Sequence, residues 1–351
     1  MNAPANISAI RSSTALDAPA IADRPIELLA LVLPGFSHLA LHAFLEPFRI
    51  ANTVSRLPLF RWRIAGLDAR SVEGANGLSI AVDTTIGKQD AGSQKRKLDH
   101  LAVVSGEPVE HQLTPQLNAF LRTTARHGVP VTAIGTATWL LAQTGLLGAA
   151  RCTIHWSRLP AFSEVFTQPR IRDSLFIKDG QFSTCAGELA AFDLAVDLIA
   201  GHAGAFIAQE VCRHAIVEGQ RSGSHRQTGP SGLAFAGVSD KLRMAIRIME
   251  ENIECPLAMS EIAQRASVSR RQLERLFSEQ VGLPPLRQYL RIRVDHARRL
   301  IEGTRLPIID VAMACGFISP SHFAKCFRDF NSMSPQQCRS MVPAWVGPGL
   351  G

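Results

Sequence analysis

Two short clusters of cationic and hydrogen-bonding side chains carry the most specific chemistry in the sequence. The first is Arg270, Arg271, Gln272 and Arg275; the second is Ser321, His322 and Lys325. Arginines one helical turn apart present planar forks that match the O6 and N7 edge of guanine in a major groove, and glutamine can pair with adenine. A single residue of this kind reads as a solvated helix face. Two clusters of similar layout read as DNA contacts, with Lys325 and His322 suited to phosphate as much as to a base. A different chemistry is conceivable for Cys152, Cys185 and His155, because a thiolate beside an imidazole is a nucleophile.

The elements needed to position the basic clusters are present. In Leu257–Gly282, Ser260 reads as a helix cap, and Ile262, Ala263 and Ala266 recur at helical spacing. Ser267-Val268 makes a short turn. Ser269 caps a second helix whose Leu273, Leu276 and Phe277 face inward, leaving the arginines outside. Ile308–Phe330 repeats the plan, with Gly316 at the turn, Ser319 as cap and Pro320 at the first helical position. Ser269 and Ser319 stand fifty positions apart. Between the units Pro285–Gly303 reads as one helix of 19 residues, ~28 Å long at ~1.5 Å per residue. With helix thickness added, the two recognition helices sit ~34 Å apart, about one turn of B-DNA.

The front half has a different rhythm. Apolar runs at Ile26–Leu33, FRWRIAGL, LDHLAVVS and VPVTAIG alternate with helix-like stretches such as HLALHAFLEPFRIAN and PQLNAFLRTTARHG. That alternation predicts an α/β domain, a parallel sheet with helices on both faces, followed by an all-α C-terminal domain with two helix-turn-helix units. The predicted division is a disordered leader at 1–24, a sensing and dimerisation domain at 25–219, a linker at 220–237, a DNA-binding domain at 238–342 and a tail at 343–351. Charge follows the same division. Residues 1–220 hold 19 Lys/Arg and 19 Asp/Glu, whereas 238–342 hold 16 against 11. A neutral front and a basic back suit a ligand-facing domain joined to a nucleic-acid domain. No apolar run approaches the ~18 residues of a membrane helix. The seven cysteines form no CxxC pair and are odd in number, so neither a zinc ribbon nor a disulfide framework is indicated, and no metal or cofactor is expected. Small buried residues in a reducing cytoplasm are the expected role.

SRRQLERLF, RIRVDHARRLI, ACGFISPSHFAKCFRDF and SPQQCR, in that order, resemble the AraC/XylS regulators from Ser239 to Arg339. The resemblance makes Arg271, Gln272 and Arg275 the base-reading candidates of the first unit, and Ser321, His322 and Lys325 those of the second. Ser267 stands where a glycine is usual, Asn331-Ser332 replaces an aromatic–glycine pair, and Cys338 replaces an aromatic residue.

A second resemblance spans Pro25 to Glu218. LVLPGFSHLALHAFLEPFRIAN, TAIGTATWLLAQTGLLGAARCTIHW and FSTCAGELAAFDLAVDLIA look like the ThiJ/PfpI, class I glutamine-amidotransferase-like domain that precedes AraC helices in GlxA-type regulators. In catalytic relatives a cysteine sits on a strained strand-to-helix turn. Gly135 holds that position here, which implies a retired enzyme fold reused as a sensor. The expected ligand pocket comprises Gly35, Phe36, Ser37, Gly135, Thr136, Ala137, His155, Trp156, Cys185 and Glu188, the last standing where a small residue is frequent. Trp139 reads as a core aromatic. The resemblance implies a cytoplasmic homodimer that activates catabolic genes in response to an amino acid or quaternary amine, with promoter DNA and RNA polymerase as partners. The alternatives are a cysteine-dependent hydrolase or amidotransferase-like enzyme, and an architectural DNA binder without a ligand.

Overall fold

The computed structural model describes residues 24–86, 97–227 and 239–341. The expected leader apart from Arg24, the linker from 228 to 237 and the tail at 343–351 lie outside the described residues. The front half runs β1 (Ile26–Val32), α1 (His38–Ser55), β2 (Phe60–Gly66), β3 (Ser71–Glu73), β4 (Ser79–Ala81), β5 (Thr84–Thr85), β6 (His100–Ser105), α2 (Pro115–Arg126), β7 (Val131–Gly135), α3 (Ala137–Gln143), β8 (Arg151–Cys152), α4 (Leu159–Val165), β9 (Arg170–Ile171), β10 (Phe176–Asp179), β11 (Phe182–Cys185), α5 (Ala190–Ala203) and α6 (Ala205–His214). Seven strands form one sheet in the order β10-β11-β7-β6-β1-β2-β5. Every neighbouring pair is parallel except β10–β11.

The strand sequences explain why both faces are covered. β1 and β6 are near-continuous apolar runs, the signature of a sheet buried on two sides. Successive side chains alternate between faces. Leu28, Ala30 and Val32 pack with Phe44, Phe48, Leu194 and Val211 of α1, α5 and α6. Leu29, Leu31 and Leu33 pack with Leu117, Leu121, Trp139 and Phe162 of α2, α3 and α4. Trp139 is fully buried, edge-on to Phe162 and Phe166 at 6.0 and 5.0 Å, and is a core aromatic as expected.

The linker begins later than its polar composition implied. Arg221 makes a double hydrogen bond to the buried Asp193, at 2.9 and 2.7 Å, and Phe176 N–H donates to Gly223 O. Leu175 N–H donates to His225 O, and Gln227 is buried. Residues 220–227 therefore pack as part of the front half. Polar composition misread them because a long-range partner, not a local apolar period, satisfies this backbone.

The rear half is α7 (Asp240–Glu251), α8 (Met259–Arg265), α9 (Arg270–Gln280), α10 (Pro285–Gly303), α11 (Ile308–Ala314), α12 (Pro320–Asn331) and α13 (Pro335–Met341). It has two cores. Leu242, Ile246, Met249, Ile262, Leu273 and Phe277 form one with Tyr289 and Ile292. Val311, Phe317, Phe323 and Phe327 form the other with Val294, Ala297, Leu300 and Ile301. Helix α10 contributes to both and has the predicted limits. Ser269 and Ser319 cap α9 and α12 as expected, each accepting from an N–H three residues on. Ser260 does not cap: Ala258 holds that position, and Ser260 lies inside α8.

Ser267 and Ser332 both adopt left-handed backbone, with φ of 55° and 57°, so the two glycine-to-serine departures fall where a side chain is strained. An L-residue there costs roughly 1–2 kcal/mol, and glycine's extra freedom in the unfolded chain offsets part of any gain. Ser332→Gly is expected to stabilise the rear half by about 0.5–1 kcal/mol in denaturant unfolding, while Ser332→Ala changes little. Equal effects from both substitutions would show that strain at this cap is not relieved.

Candidate nucleic-acid interface and effector pocket

Helix α9 presents Arg270, Arg271, Gln272 and Arg275 outward, while Leu273 and Phe277 anchor it. Arg270 and Arg275 lean on Glu274 and Glu279 four residues on, at 3.3 and 3.8 Å. Such exposed pairs are worth ~0.3–0.5 kcal/mol, so they hold the guanidinium groups without committing them. Arg271 has no hydrogen bond or ion pair among the described residues and is the least encumbered of the three. Gln272 is already employed: its Oε1 accepts from Ser269 N–H at 3.0 Å while Ser269 Oγ accepts from its own N–H. This capping box was readable from Ser-x-x-Gln. A base contact by Gln272 has to compete with it.

In α12, Ser321, His322 and Lys325 are exposed as expected. Lys325 and Ser321 are open to solvent, but His322 is turned back on its own unit. Its Nε2 lies 3.3 Å from Cys326 Sγ and its ring 5.7 Å from that of Phe317. Two residues on α10 were missed by sequence reasoning. Tyr289 Oη donates to Asn252 O and accepts from Leu257 N–H at 3.2 Å, bracing the approach to α8. Arg293 Nε donates to Cys315 O at 2.8 Å, and its guanidinium carbon lies 4.1 Å from the Phe317 ring centroid. Tyr289 and Arg293 are four residues apart on one face; a single arginine inside an otherwise apolar helical stripe was the available signal.

The other candidate site lies at the C-terminal ends of β1, β7 and β11. Gly135 ends β7 with φ of 72°, and Thr136 Oγ1 donates to Ser105 O at 3.1 Å. A Cβ at Gly135 would meet only Ser105 O, at 3.4 Å, an ordinary van der Waals contact. Gly187 closes against this elbow, where a Cβ would stand 2.9 Å from the Gly135 Cα. Next to it Glu188 is held at φ of 47° and accepts from Ser37 Oγ at 2.8 Å. His155 N–H donates to Gly135 O at 3.4 Å, and its Nδ1 lies 2.8 Å from Ser157 Oγ. Burial holds the His155 pKa below the usual imidazole value; the Glu188 and Glu107 carboxylates oppose this and Arg158 adds to it. Arg158 also bonds Glu110 at 2.7 Å and pairs with Glu107, an ion cluster the sequence did not reveal.

The elbow thus brings Gly135, Thr136, His155, Glu188 and Ser37 together. Gly35 has φ of 72° at the end of β1. Phe36, Ala137 and Cys185 are fully buried and belong to the core behind these residues, so they do not line an open pocket. Cys185 is excluded because its strand position points it into the α1–α5 layer. Burial pushes the thiols of Cys152 and Cys185 up to about 12. Trp156 is half-buried, with its ring 5.3 Å from that of His155 and 5.7 Å from the Arg299 guanidinium carbon of α10.

Residues 262–341 match the helix-turn-helix domain family and residues 46–201 the DJ-1/PfpI family. The chain is 36% identical over 313 residues to the HTH-type transcriptional regulator CdhR of Pseudomonas aeruginosa, covering 89% of this chain and 91% of that one. It is 34% identical over 313 residues to GbdR of the same species, covering 89% and 84%. It is 31% identical over 310 residues to GlxA of Rhizobium meliloti, covering 88% and 94%. The chain belongs to this family of HTH-type transcriptional regulators. The regulator binds promoter DNA. None of its described helices is long and apolar enough to cross a membrane.

On a specific site, Arg271→Ala and Arg275→Ala are each expected to cost ~1–3 kcal/mol and to relax base preference. Lys325→Ala is expected to weaken all duplexes alike and to lower the salt slope by about one. Equal losses on specific and random DNA for both arginines would reassign them to the backbone. Thiol labelling of the native regulator is a separate check. Six of the seven cysteines are buried and Cys255 is exposed. One thiol should react rapidly, and Cys255→Ser should abolish that reaction. Fast labelling of Cys152 or Cys185 would reopen thiolate chemistry at the front half.

Proposed function

We propose that this chain is a ligand-responsive transcription activator whose front half senses a small molecule and carries no enzymatic activity. In this reading residues 25–219, extended through 227, form the sensing and dimerisation unit. Residues 238–342 form the DNA-binding unit. The protein acts in the cytoplasm as a homodimer on promoter DNA and contacts RNA polymerase there. The observation that carries the sensor reading is the glycine at the centre of the elbow, Gly135. The strand-to-helix turn keeps its left-handed geometry beside His155 while offering no nucleophile.

The effector fits an amino acid or quaternary amine, the class the family resemblance implied. Glu188, beside His155 and Ser37, supplies a carboxylate for the cationic end of such a molecule. Backbone N–H groups around the Gly135 turn are available to a carboxylate end. Absence of enzymatic activity is supported by the two suppressed thiols and by Gly135 itself, since acyl or amide chemistry by this fold requires a nucleophile poised next to a base. Dimerisation through the front half would link two DNA-binding events and raise apparent affinity without any new DNA contact.

The test begins with a thermal-shift screen of nitrogenous metabolites, where a ligand at one hundred times its Kd stabilises by about 2.7 kcal/mol. With the effector in hand, Gly135→Leu is expected to abolish the shift and the transcriptional response while basal DNA binding persists. Because leucine at positive φ is strained, Glu188→Gln serves as the milder companion and should weaken binding of a cationic effector without unfolding the chain. A Gly135→Leu protein that still activates at normal inducer concentration would place the sensing pocket elsewhere.

A further inference from the structure

One face of α10 is built against the front half. The Arg299 guanidinium carbon lies 5.7 Å from the Trp156 ring centroid. At the end of the helix Gly303 closes on α4. A Cβ there would stand 2.6 Å from the Ala161 Cβ and 3.1 Å from Arg158 Nη1. Beside this contact Arg226 bonds Asp173 at 2.8 Å and reaches Glu251 of α7 at 2.9 Å, so it ties the two halves together. The next residue is itself fixed, since Gln227 Nε2 donates to Ile154 O at 2.9 Å and to Thr153 Oγ1 at 3.1 Å. The strap that leads toward the rear half is thus bonded to the residue immediately before His155.

The short helical turn at Trp156–Arg158 consequently has two sides. On one, His155 donates to the elbow carbonyl of Gly135 and lies in the field of Glu188, while Arg158 holds Glu107 and Glu110. On the other, Trp156 meets Arg299 and Arg158 borders Gly303. Arg299 Nε is buried with no hydrogen-bond partner. The guanidinium also lies in the fields of Asp295, Glu250 and Glu302, and its contact with the aromatic face is one that a small movement of Trp156 would weaken. The N-terminal half of α10 carries Tyr289 and Arg293, which brace the two DNA-binding units. Movement at the Gly303 end therefore re-aims both recognition helices as one body.

We propose that residues 155–158 form the surface through which occupancy of the effector pocket is passed to the DNA-binding half, with Trp156–Arg299 and Ala161–Gly303 as the points of contact. The inference rests on the reading of Gly135, His155 and Glu188 as the effector pocket. Linkage makes it reciprocal: whatever the effector does to DNA affinity through this surface, DNA does to the surface, typically by 5–150-fold. No contiguous chain of moving parts is required beyond one turn that both ligands bias.

Gly303→Ala is the sharpest probe, because alanine favours the helix by itself and its new methyl collides only with the front half. Hydrogen exchange of the full chain is followed with and without a duplex selected from a random library by the wild-type protein. Without DNA, Gly303→Ala should raise deuterium uptake across 155–165 and 296–303 and leave α12 unchanged. Adding Ala161→Gly should return uptake toward wild type. Duplex binding should alter uptake at 155–165 in the wild type and in the double variant, but not in Gly303→Ala. Arg299→Ala, which removes the Trp156 contact without adding bulk, should decouple in the same way. The proposal is overturned if Gly303→Ala leaves uptake at 155–165 unchanged, if the wild-type segment ignores the duplex, or if its response survives Gly303→Ala. Failure to select any duplex would count against the DNA-binding reading, while exchange without DNA still decides whether the surface exists.

Discussion

The rear half depends on one constraint: α10 belongs to two hydrophobic cores at once. Its N-terminal part places Tyr289 and Ile292 in the core of the first helix-turn-helix unit, and its C-terminal part places Val294 to Ile301 in that of the second. An unbroken helix of 19 residues cannot bend at the boundary without breaking hydrogen bonds that its buried surroundings leave no way to replace. Arg293 sits at that boundary, and its buried guanidinium bonds Cys315 O and covers Phe317. A desolvated cation–π contact of this sort is worth ~2 kcal/mol. The phase and separation of α9 and α12 are therefore properties of α10, fixed before DNA is met.

In the front half the parallel sheet sets the geometry of the elbow. It delivers β7 into a left-handed turn beside His155. Glycine at the turn supplies no side-chain nucleophile there, and burial of Cys152 and Cys185 in apolar layers disfavours their charged form. On the proposed reading, the strand ends there, with a carboxylate, an imidazole and backbone N–H groups, form a small-molecule site of the kind common in open α/β sheets.

Much of this was legible in the residues. Two-sided apolar runs gave β1 and β6, and Ser269, Ser319 and Pro320 marked helix starts whose local chemistry is self-contained. The left-handed turns at Ser267 and Ser332 were visible as departures from glycine. Contacts between distant segments were not. Cys185 reads as pocket-lining until its strand register aims it inward. His322 reads as a free side chain until Cys326 and Phe317 are seen to hold its ring. Arg221 reads as linker until Asp193 is found beneath it, and nothing near Gly303 announces Ala161. Local capping and periodicity are encoded within a few residues, whereas these pairings arise only when the chain has folded.

The central claim is that one chain reads two successive major-groove segments at a spacing set by α10. Hydroxyl-radical footprinting of the full regulator on a selected duplex tests this directly. Two protected patches per chain, on one face of the duplex and centred ~10–10.5 base pairs apart, are expected. A single patch per chain, or two patches at a spacing off the helical repeat, would contradict the account.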